Sequence, residues 1–135
     1  MSVDLVRRAA ELASADEPAS DEELAEIFSP DIVLDNSERI LNPRVYRGYD
    51  GLREWYADTH EIWETVSMTV GEIVQEGNRY LVLSDVHSRA RGSGIEFDAT
   101  AAAIWTAEGG RLKHFRLLAS EKADREQGLA ELRAG

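Results

Sequence analysis

The chain has 135 residues, 43% hydrophobic and 30% charged, a balance typical of a globular protein, and we expect one domain over residues 1–135. Lys and Arg number 15 against 26 Asp and Glu, which gives a net charge of −11. A chain this acidic is not expected to bind the phosphate backbone of a nucleic acid or an anionic membrane surface. It contains no cysteine, which excludes disulfides, thiol nucleophiles and thiolate zinc sites.

Targeting and cofactor motifs are absent from the sequence. It has no apolar run of signal-peptide length at its start and nothing near the ~18 consecutive apolar residues of a membrane span, so we expect a soluble cytoplasmic protein. The glycines at 92–94 and 109–110 are turn glycines rather than phosphate loops, because neither pair opens a helix after a strand. We therefore expect no cofactor and no metal.

The first 30 residues predict two helices. Residues 3–14 carry apolar side chains at helical spacing. Ser20 followed three residues later by Glu23 is a capping-box pattern, which predicts that a second helix begins there. Ser29 and Pro30 are expected to end it.

The next segment predicts a short strand, an irregular link and a long helix. The strand is expected over 31–35 and the link over 36–48. Long links of this kind often border a binding site. The third helix is predicted from about Tyr49 to Glu64, with its apolar side chains on one face.

The second half of the chain predicts an antiparallel sheet followed by a helical tail over 122–133. Short breaks that contain glycine separate the strands, which is typical of hairpins. Helices segregated from such a sheet make an α+β domain. The four strands are expected over 65–75, 79–91, 95–106 and 111–119.

Three stretches carry a resemblance to a known family: LAEIFSPDIVLD at 24–35, YRGYDGLREWY at 46–56 and IWTAEGGRLKHFR at 104–116. With them the chain resembles the nuclear transport factor 2-like (cystatin-like cone) superfamily, and within it the SnoaL-like polyketide cyclase branch. The resemblance implies a curved antiparallel sheet wrapped around the long third helix, which forms a cone with a central apolar pocket. It also implies homodimers through the outer face of the sheet.

The residues themselves support a second buried surface on the sheet. Side chains alternate between the two faces of a strand, and both sets in 95–106 are fairly apolar. One set comprises Phe97, Ala99, Ala101, Ala103 and Trp105, and the other comprises Asp98, Thr100, Ala102 and Ile104. A homodimer through the outer face would explain this composition.

The catalytic carboxylates of the family do not carry over to this chain. The proton-abstracting base of the isomerases matches Asn36, their oxyanion-binding acid matches Ala102, and the last-strand acid of the cyclases matches Leu117. Chemistry, if present, would need another group.

Asp98 and Asp35 are the remaining candidates for a catalytic acid or base. On the inward face, Asp98 would have its pKa raised by desolvation, as suits a general acid or base. Alternatively, it lies at the wet end of its strand and pairs with Arg89 or Arg91. Asp35 is either a base at the rim of the pocket or a solvated strand end. His87 is predicted to face outward, and with His114 it finds no third ligand at a spacing that suits zinc.

Three functions stay open at this stage. One is cofactor-free acid–base catalysis on a small, largely apolar molecule, by cyclisation, isomerisation or dehydration. Another is non-catalytic binding of such a molecule, and the third is a dimeric interaction module whose pocket is filled by its own side chains. The residues expected to line the pocket are Asn36, Tyr46, Trp55, Tyr56, Ser84, Ser88 and Phe115.

Overall fold

The structure is a computed structural model that describes residues 2–39 and 43–134. The described residues form four α-helices, six strands and one short 3₁₀ helix at Ser120–Lys122, and none of these helices is long and apolar enough to cross a membrane. The helices are α1 (Ser2–Ser14), α2 (Asp21–Ile27), α3 (Gly48–Ile62) and α4 (Arg125–Ala134). The strands are β1 (Phe28–Asp35), β2 (Val45–Arg47), β3 (Trp63–Glu76), β4 (Arg79–Ala90), β5 (Glu96–Glu108) and β6 (Arg111–Leu117).

The predicted α+β architecture is confirmed, and its local signals act as expected. Ser20 is the N-cap of α2: its hydroxyl accepts a hydrogen bond from the backbone N–H of Glu23, whose carboxylate accepts one from the backbone N–H of Ser20. Gly77 and Gly109 have positive φ angles in the turns that join β3 to β4 and β5 to β6. The second half of the chain is the predicted meander.

The sheet is mixed rather than purely antiparallel, which corrects the prediction. Its strands lie in the order β2-β1-β6-β5-β4-β3, and β1 runs parallel to β6. Strand β2 lies within the segment predicted to be irregular, where three residues are too few to show a period of two. Strand β1 begins at Phe28, and Pro30 fits because pairing with β6 is interrupted between Phe28 and Val33.

The two faces of the sheet are covered by different helices. On the concave face, α1, α2 and α3 pack over the main core, which includes Leu34, Tyr46, Tyr80 and Trp105. On the outer face, α4 packs over a second core. The second core comprises Leu81, Ala102, Ile104, Leu118 and Leu132.

Helix α4 therefore explains part of the composition from which a homodimer was predicted. Ala102 and Ile104 belong to the outer face of β5 and are buried within this chain against α4. The sequence does not reveal this packing, because α4 has few large apolar residues. A homodimer through the rest of the outer face stays a prediction.

We expect Gly51→Ala to destabilise the protein although alanine favours helices. A Cβ atom at Gly51 would lie 2.9 Å from the backbone carbonyl carbon of Tyr46, which cannot move without moving β2. Overpacking typically costs about 1–3 kcal/mol, against a helix-propensity gain of about 1 kcal/mol. Urea unfolding should show a net loss of about 1 kcal/mol; a gain of that size would show that β2 and α3 can separate without cost.

Candidate functional site

One end of the cone is open on its concave side. At this end β1 and β6 finish and β3 and β5 begin. Helix α3 also ends here, since the backbone N–H of Arg91 donates to the carbonyl of Ile62 at 3.0 Å. Along the concave side of β5, burial rises from the open end inward: Phe97 is 49% exposed, whereas Trp105 is 8% exposed. At the open end, the side chains that the structure describes therefore leave part of the concave surface of β5 uncovered.

Small side chains line this uncovered surface. Ala99 is exposed and Ala101 is half-buried, and each faces the same side of the sheet as its partner on β4. Ser84 lies opposite Ala101, and Ser88 lies opposite Phe97. Both serines are thus on the concave face where they were predicted, Ser84 half-buried and Ser88 buried. We refer to this surface, from Phe97 to Ala101 on β5 and from Ser84 to Ser88 on β4, as the open trough.

Asn36 follows the end of β1, which β6 separates from β5. Its backbone N–H donates to the carbonyl of Arg44 at 2.9 Å, so the β1–β2 ladder continues for one more pair. The pleat then places its side chain on the same face as that of Leu34, which belongs to the main core. Asn36 is 2% exposed, and its Oδ1 atom has no hydrogen-bond partner among the residues that the structure describes.

Thr59, on α3, is also a buried residue with an unpartnered polar atom. Leu52, Trp55 and Thr59 lie on one face of α3, and the first two pack against the main core. Thr59 is 8% exposed, and its Oγ1 atom likewise lacks a partner in the described part of the chain. A buried polar atom without a partner costs about 1–3 kcal/mol, so two such atoms call for an explanation.

Tyr46 is held inside the chain and does not offer its hydroxyl to a ligand. The ring is 1% exposed, and its O–H donates to Oδ2 of Asp58 at 2.8 Å. Burial and this hydrogen bond raise the pKa of the phenol. Arg44 donates to the same Asp58 oxygen at 3.1 Å and lies over the Tyr46 ring at 4.7 Å.

The two aromatic residues of α3 form part of the contact with α1. The Tyr56 hydroxyl donates to the carbonyl of Ala15 at 2.7 Å, and its ring stacks on His60 at 4.0 Å. Burial raises the pKa of this phenol, with a further contribution from nearby acidic residues of the α1–α2 link. Trp55 and Tyr56 also line a cavity of about 60 Å³ between α1, α2 and α3. The Tyr56 hydroxyl is thus already hydrogen-bonded within the chain.

Phe115 belongs to the wall of the core at the level of Leu34, with which it is paired across β1 and β6. It is half-buried and packs edge-on against Trp105, with ring centroids 4.6 Å apart.

The inward orientation expected of Asp98 is wrong. Its side chain is 85% exposed on the outer face of the sheet, where it accepts a hydrogen bond from Nδ1 of His87 at 2.6 Å. Nε2 of His87 bonds Glu96 at 3.0 Å. The wet alternative is correct, although the partner is His87 rather than an arginine. His87 and Asp98 line an open groove of about 360 Å³ together with Ser67, Thr69, Asp85, Val86, Ala99 and Thr100.

Asp35 also points away from the cone interior. It is half-buried on the side of the sheet opposite Leu34 and accepts a hydrogen bond from the backbone N–H of Ser37 at 2.9 Å. Partial burial raises its pKa, but the hydrogen bonds from Ser37 and the charges of His114 and Arg116 outweigh it, so the net shift is downward. A low pKa suits a solvated strand end better than a general base. A catalytic role for either Asp35 or Asp98 stays a prediction that this geometry does not support.

Two polar residues of α3, Thr59 and Asp58, are not among the candidates that the sequence suggests. Both lie on α3, where Asp58 follows Gly51 by seven residues and so shares the face that contacts Tyr46. The seven-residue spacing is visible in the sequence, but the position of β2 alongside α3 is not.

The sequence model of the SnoaL-like domain family matches residues 6–115, which is most of the chain. The chain belongs to the SnoaL-like domain family. The open trough, Asn36 and Thr59 thus lie inside the family's domain, whereas α4 lies outside the matched residues.

Solved structures with this fold include several SnoaL-like proteins. A candidate SnoaL-like polyketide cyclase from a Jannaschia species is 15% identical with a TM-score of 0.71, over 87% of this chain and 83% of the other. IdmH from Streptomyces antibioticus, a candidate polyketide cyclase, is 18% identical with a TM-score of 0.68, over 94% and 97%. TerC, co-crystallised with polyporic acid, is 14% identical with a TM-score of 0.72, over 99% and 98%. Identities this low show the shared fold alone, and a search of curated proteins gave no match.

We predict that Thr59→Val raises the free energy of unfolding by about 1 kcal/mol. Valine keeps the shape of threonine and removes a buried hydroxyl that lacks a partner. Thr59→Ser is the matched control: it keeps the hydroxyl, removes a buried methyl group and should destabilise the protein. A loss of stability in the valine variant, measured by urea unfolding, would mean that the hydroxyl is satisfied within the protein.

A further prediction concerns the protonation of His87. The hydrogen bonds to Asp98 and then Glu96 raise its pKa above the ordinary value of 6.5. The charged form therefore contributes stability that is full below pH 6.5 and is lost as the pH rises through the folded-state pKa. An NMR titration of the wild-type protein should show this raised pKa of His87. In the Asp98→Asn variant the pKa of His87 should be lower than in the wild-type protein. Asp85→Asn, on the same face, should leave the pKa near the wild-type value; an equal decrease there would contradict the specific pairing.

Proposed function

We propose that this SnoaL-like protein binds a small, largely apolar molecule in the open trough of the cone. The observation that carries the proposal is the burial gradient along the concave face of β5, from exposed Phe97 and Ala99 to buried Ala103 and Trp105. Apolar concave surface left uncovered at one end of a core is typical of a ligand site.

The surroundings of the open trough fit this proposal. Trp63 packs edge-on against Phe97 with ring centroids 5.5 Å apart, which extends the apolar surface to β3. Ile62 and Ile95, 36% and 56% exposed, lie on the segments next to these two aromatic residues. The co-crystal of TerC with polyporic acid supports the proposal by analogy of fold.

We favour binding over acid–base catalysis for this site. Catalysis of the kind first considered needs a carboxylate that reaches the interior. Asp35 and Asp98 lie on the outer side, and Asp58 is engaged by Tyr46 and Arg44. Hydrogen-bonding groups without a charge remain, and these orient a ligand rather than transfer its protons.

Filling the open trough should abolish binding. We expect Ala101→Phe to weaken the binding of 2-naphthol, used as an apolar probe, at least tenfold in isothermal titration calorimetry, because the new ring occupies the concave face. Thr100→Phe is the matched control, since the neighbouring side chain points to the outer face and is exposed. Equal weakening by both variants, or none by Ala101→Phe, would contradict the proposed location.

A further inference from the structure

The concave face of the sheet continues from the open trough onto β3. Residues directly opposite each other on neighbouring strands share a face, so the pairing of β3, β4 and β5 defines rows of side chains across the cone. The row nearest the open end consists of Val66, Ser88 and Phe97, and the next row consists of Met68, Val86 and Ala99. Met68 is therefore the β3 residue that lies level with the middle of the open trough.

The concave surface becomes more covered from β5 toward β3. In the row nearest the open end, Phe97 is 49% exposed, whereas Val66 is 6% exposed. In the next row, Ala99 is exposed and Met68 is half-buried. A ligand in the open trough would thus have its outer end at β5 and its inner end toward β3.

Helix α1 reaches β3 at Met68. Ser14 is the last residue of α1, and its hydroxyl donates to the carbonyl of Ala10 at 2.9 Å. The same hydroxyl accepts a hydrogen bond from the backbone N–H of Met68 at 2.9 Å. Because β3 is the last strand in the order of the sheet, this bond places the end of α1 against the edge of the sheet. The Met68 backbone is fixed there, at the β3 side of the open trough.

The side chain of Met68 is not used by either core of the protein. Val70, the next residue on the same face of β3, packs against the main core, and Val74 packs against the second core. Met68 is half-buried and belongs to neither core that the described residues form. A large apolar side chain on the concave face is thus available to contact a ligand.

From this placement we infer that Met68 closes the β3 side of the open trough and determines the length of ligand that the trough buries. The inference rests on the proposed function and adds a specificity-determining residue to the same site. Methionine suits the role, because its unbranched chain adapts to the shape of a neighbour and its sulfur makes favourable contacts with aromatic rings. A ligand too long for the space before Met68 leaves its outer end in water at the uncovered side of β5.

Methyl NMR tests the contact directly, because Met1 and Met68 are the only methionines of the chain. The protein would be labelled with [methyl-¹³C]methionine and titrated with 2-naphthol, and the Met68→Leu variant would assign the Met68 signal. We expect nuclear Overhauser effects between the Met68 methyl group and the probe. We also expect a change in the methyl chemical shift that follows the bound fraction, since the ring current of the probe acts on a methyl group in contact with it.

A pair of probes that differ in length tests the role in specificity. We would compare the affinities of 2-naphthol and 2-anthrol, which has a third ring in line with the first two, by fluorescence titration. The wild-type protein should bind both about equally, because the third ring stays in water. Met68→Ala should raise the affinity for 2-anthrol relative to 2-naphthol about tenfold, since the space left by Cγ, Sδ and Cε lets the third ring be buried.

Val74→Ala is the matched control for the size test. It also removes apolar atoms from β3, but Val74 packs against the second core on the outer face. Its ratio of affinities for the two probes should equal that of the wild-type protein. A general loosening of the sheet would move the ratio in both variants, whereas a contact with the ligand moves it in Met68→Ala alone.

The outcomes separate this inference from the proposed function. Binding of 2-naphthol that Ala101→Phe weakens, without nuclear Overhauser effects at the Met68 methyl group, overturns the inference and leaves the apolar trough intact. An affinity ratio that Met68→Ala leaves unchanged, or that Val74→Ala raises equally, also overturns it. Failure to bind 2-naphthol overturns the proposed function together with the inference. If Met68→Ala does not fold, the methyl spectra of the wild-type protein decide the question.

Discussion

Strand β5 is the constraint on which the rest of the molecule depends. Its side chains alternate between two faces, and at its C-terminal half both faces are buried: Ala103 and Trp105 under the helices of the concave side, Ala102 and Ile104 under α4. At its N-terminal half, from Glu96 to Thr100, the side chains on both faces are exposed. The covered half holds the helices in place, and the uncovered half leaves one surface inside the cone and another outside it.

These two uncovered surfaces differ in chemistry. The outer one carries the His87, Asp98 and Glu96 cluster, whose polar groups bond one another in contact with water. The inner one carries alanine, serine, valine and phenylalanine and no charged side chain. The inner surface is therefore the one that suits a largely apolar ligand.

The sequence was sufficient for the helices and hairpins but not for strand β2 or for the orientation of Asp98. Local signals such as the Ser20–Glu23 box and the turn glycines depend on neighbours in the chain, and they predicted the helices and hairpins. The side that Asp98 faces depends on register, and a shift of one residue moves a whole strand's side chains to the other face. The alternation itself placed Ser84 and Ser88 correctly, since Val82 on the same face anchors them to the core.

The remaining differences come from contacts between distant segments. The parallel pairing of β1 with β6 joins residues about 80 positions apart, as Leu34 with Phe115, and no local pattern reports it. The unpaired state of Thr59 likewise depends on what surrounds α3 rather than on α3 itself. The family resemblance supplied the cone, but the chain's own packing decides which polar atoms lack partners.

The most direct test of the account is the position of a bound probe in the cone. NMR spectra of the complex with 2-naphthol should show nuclear Overhauser effects from the probe to the methyl groups of Ala101 and Val86 on the concave face. They should show none to Leu83 or Ala102, whose side chains face outward on the same two strands. Effects at the outward-facing methyl groups, with none at Ala101, would contradict the claim that the concave open end is the binding site.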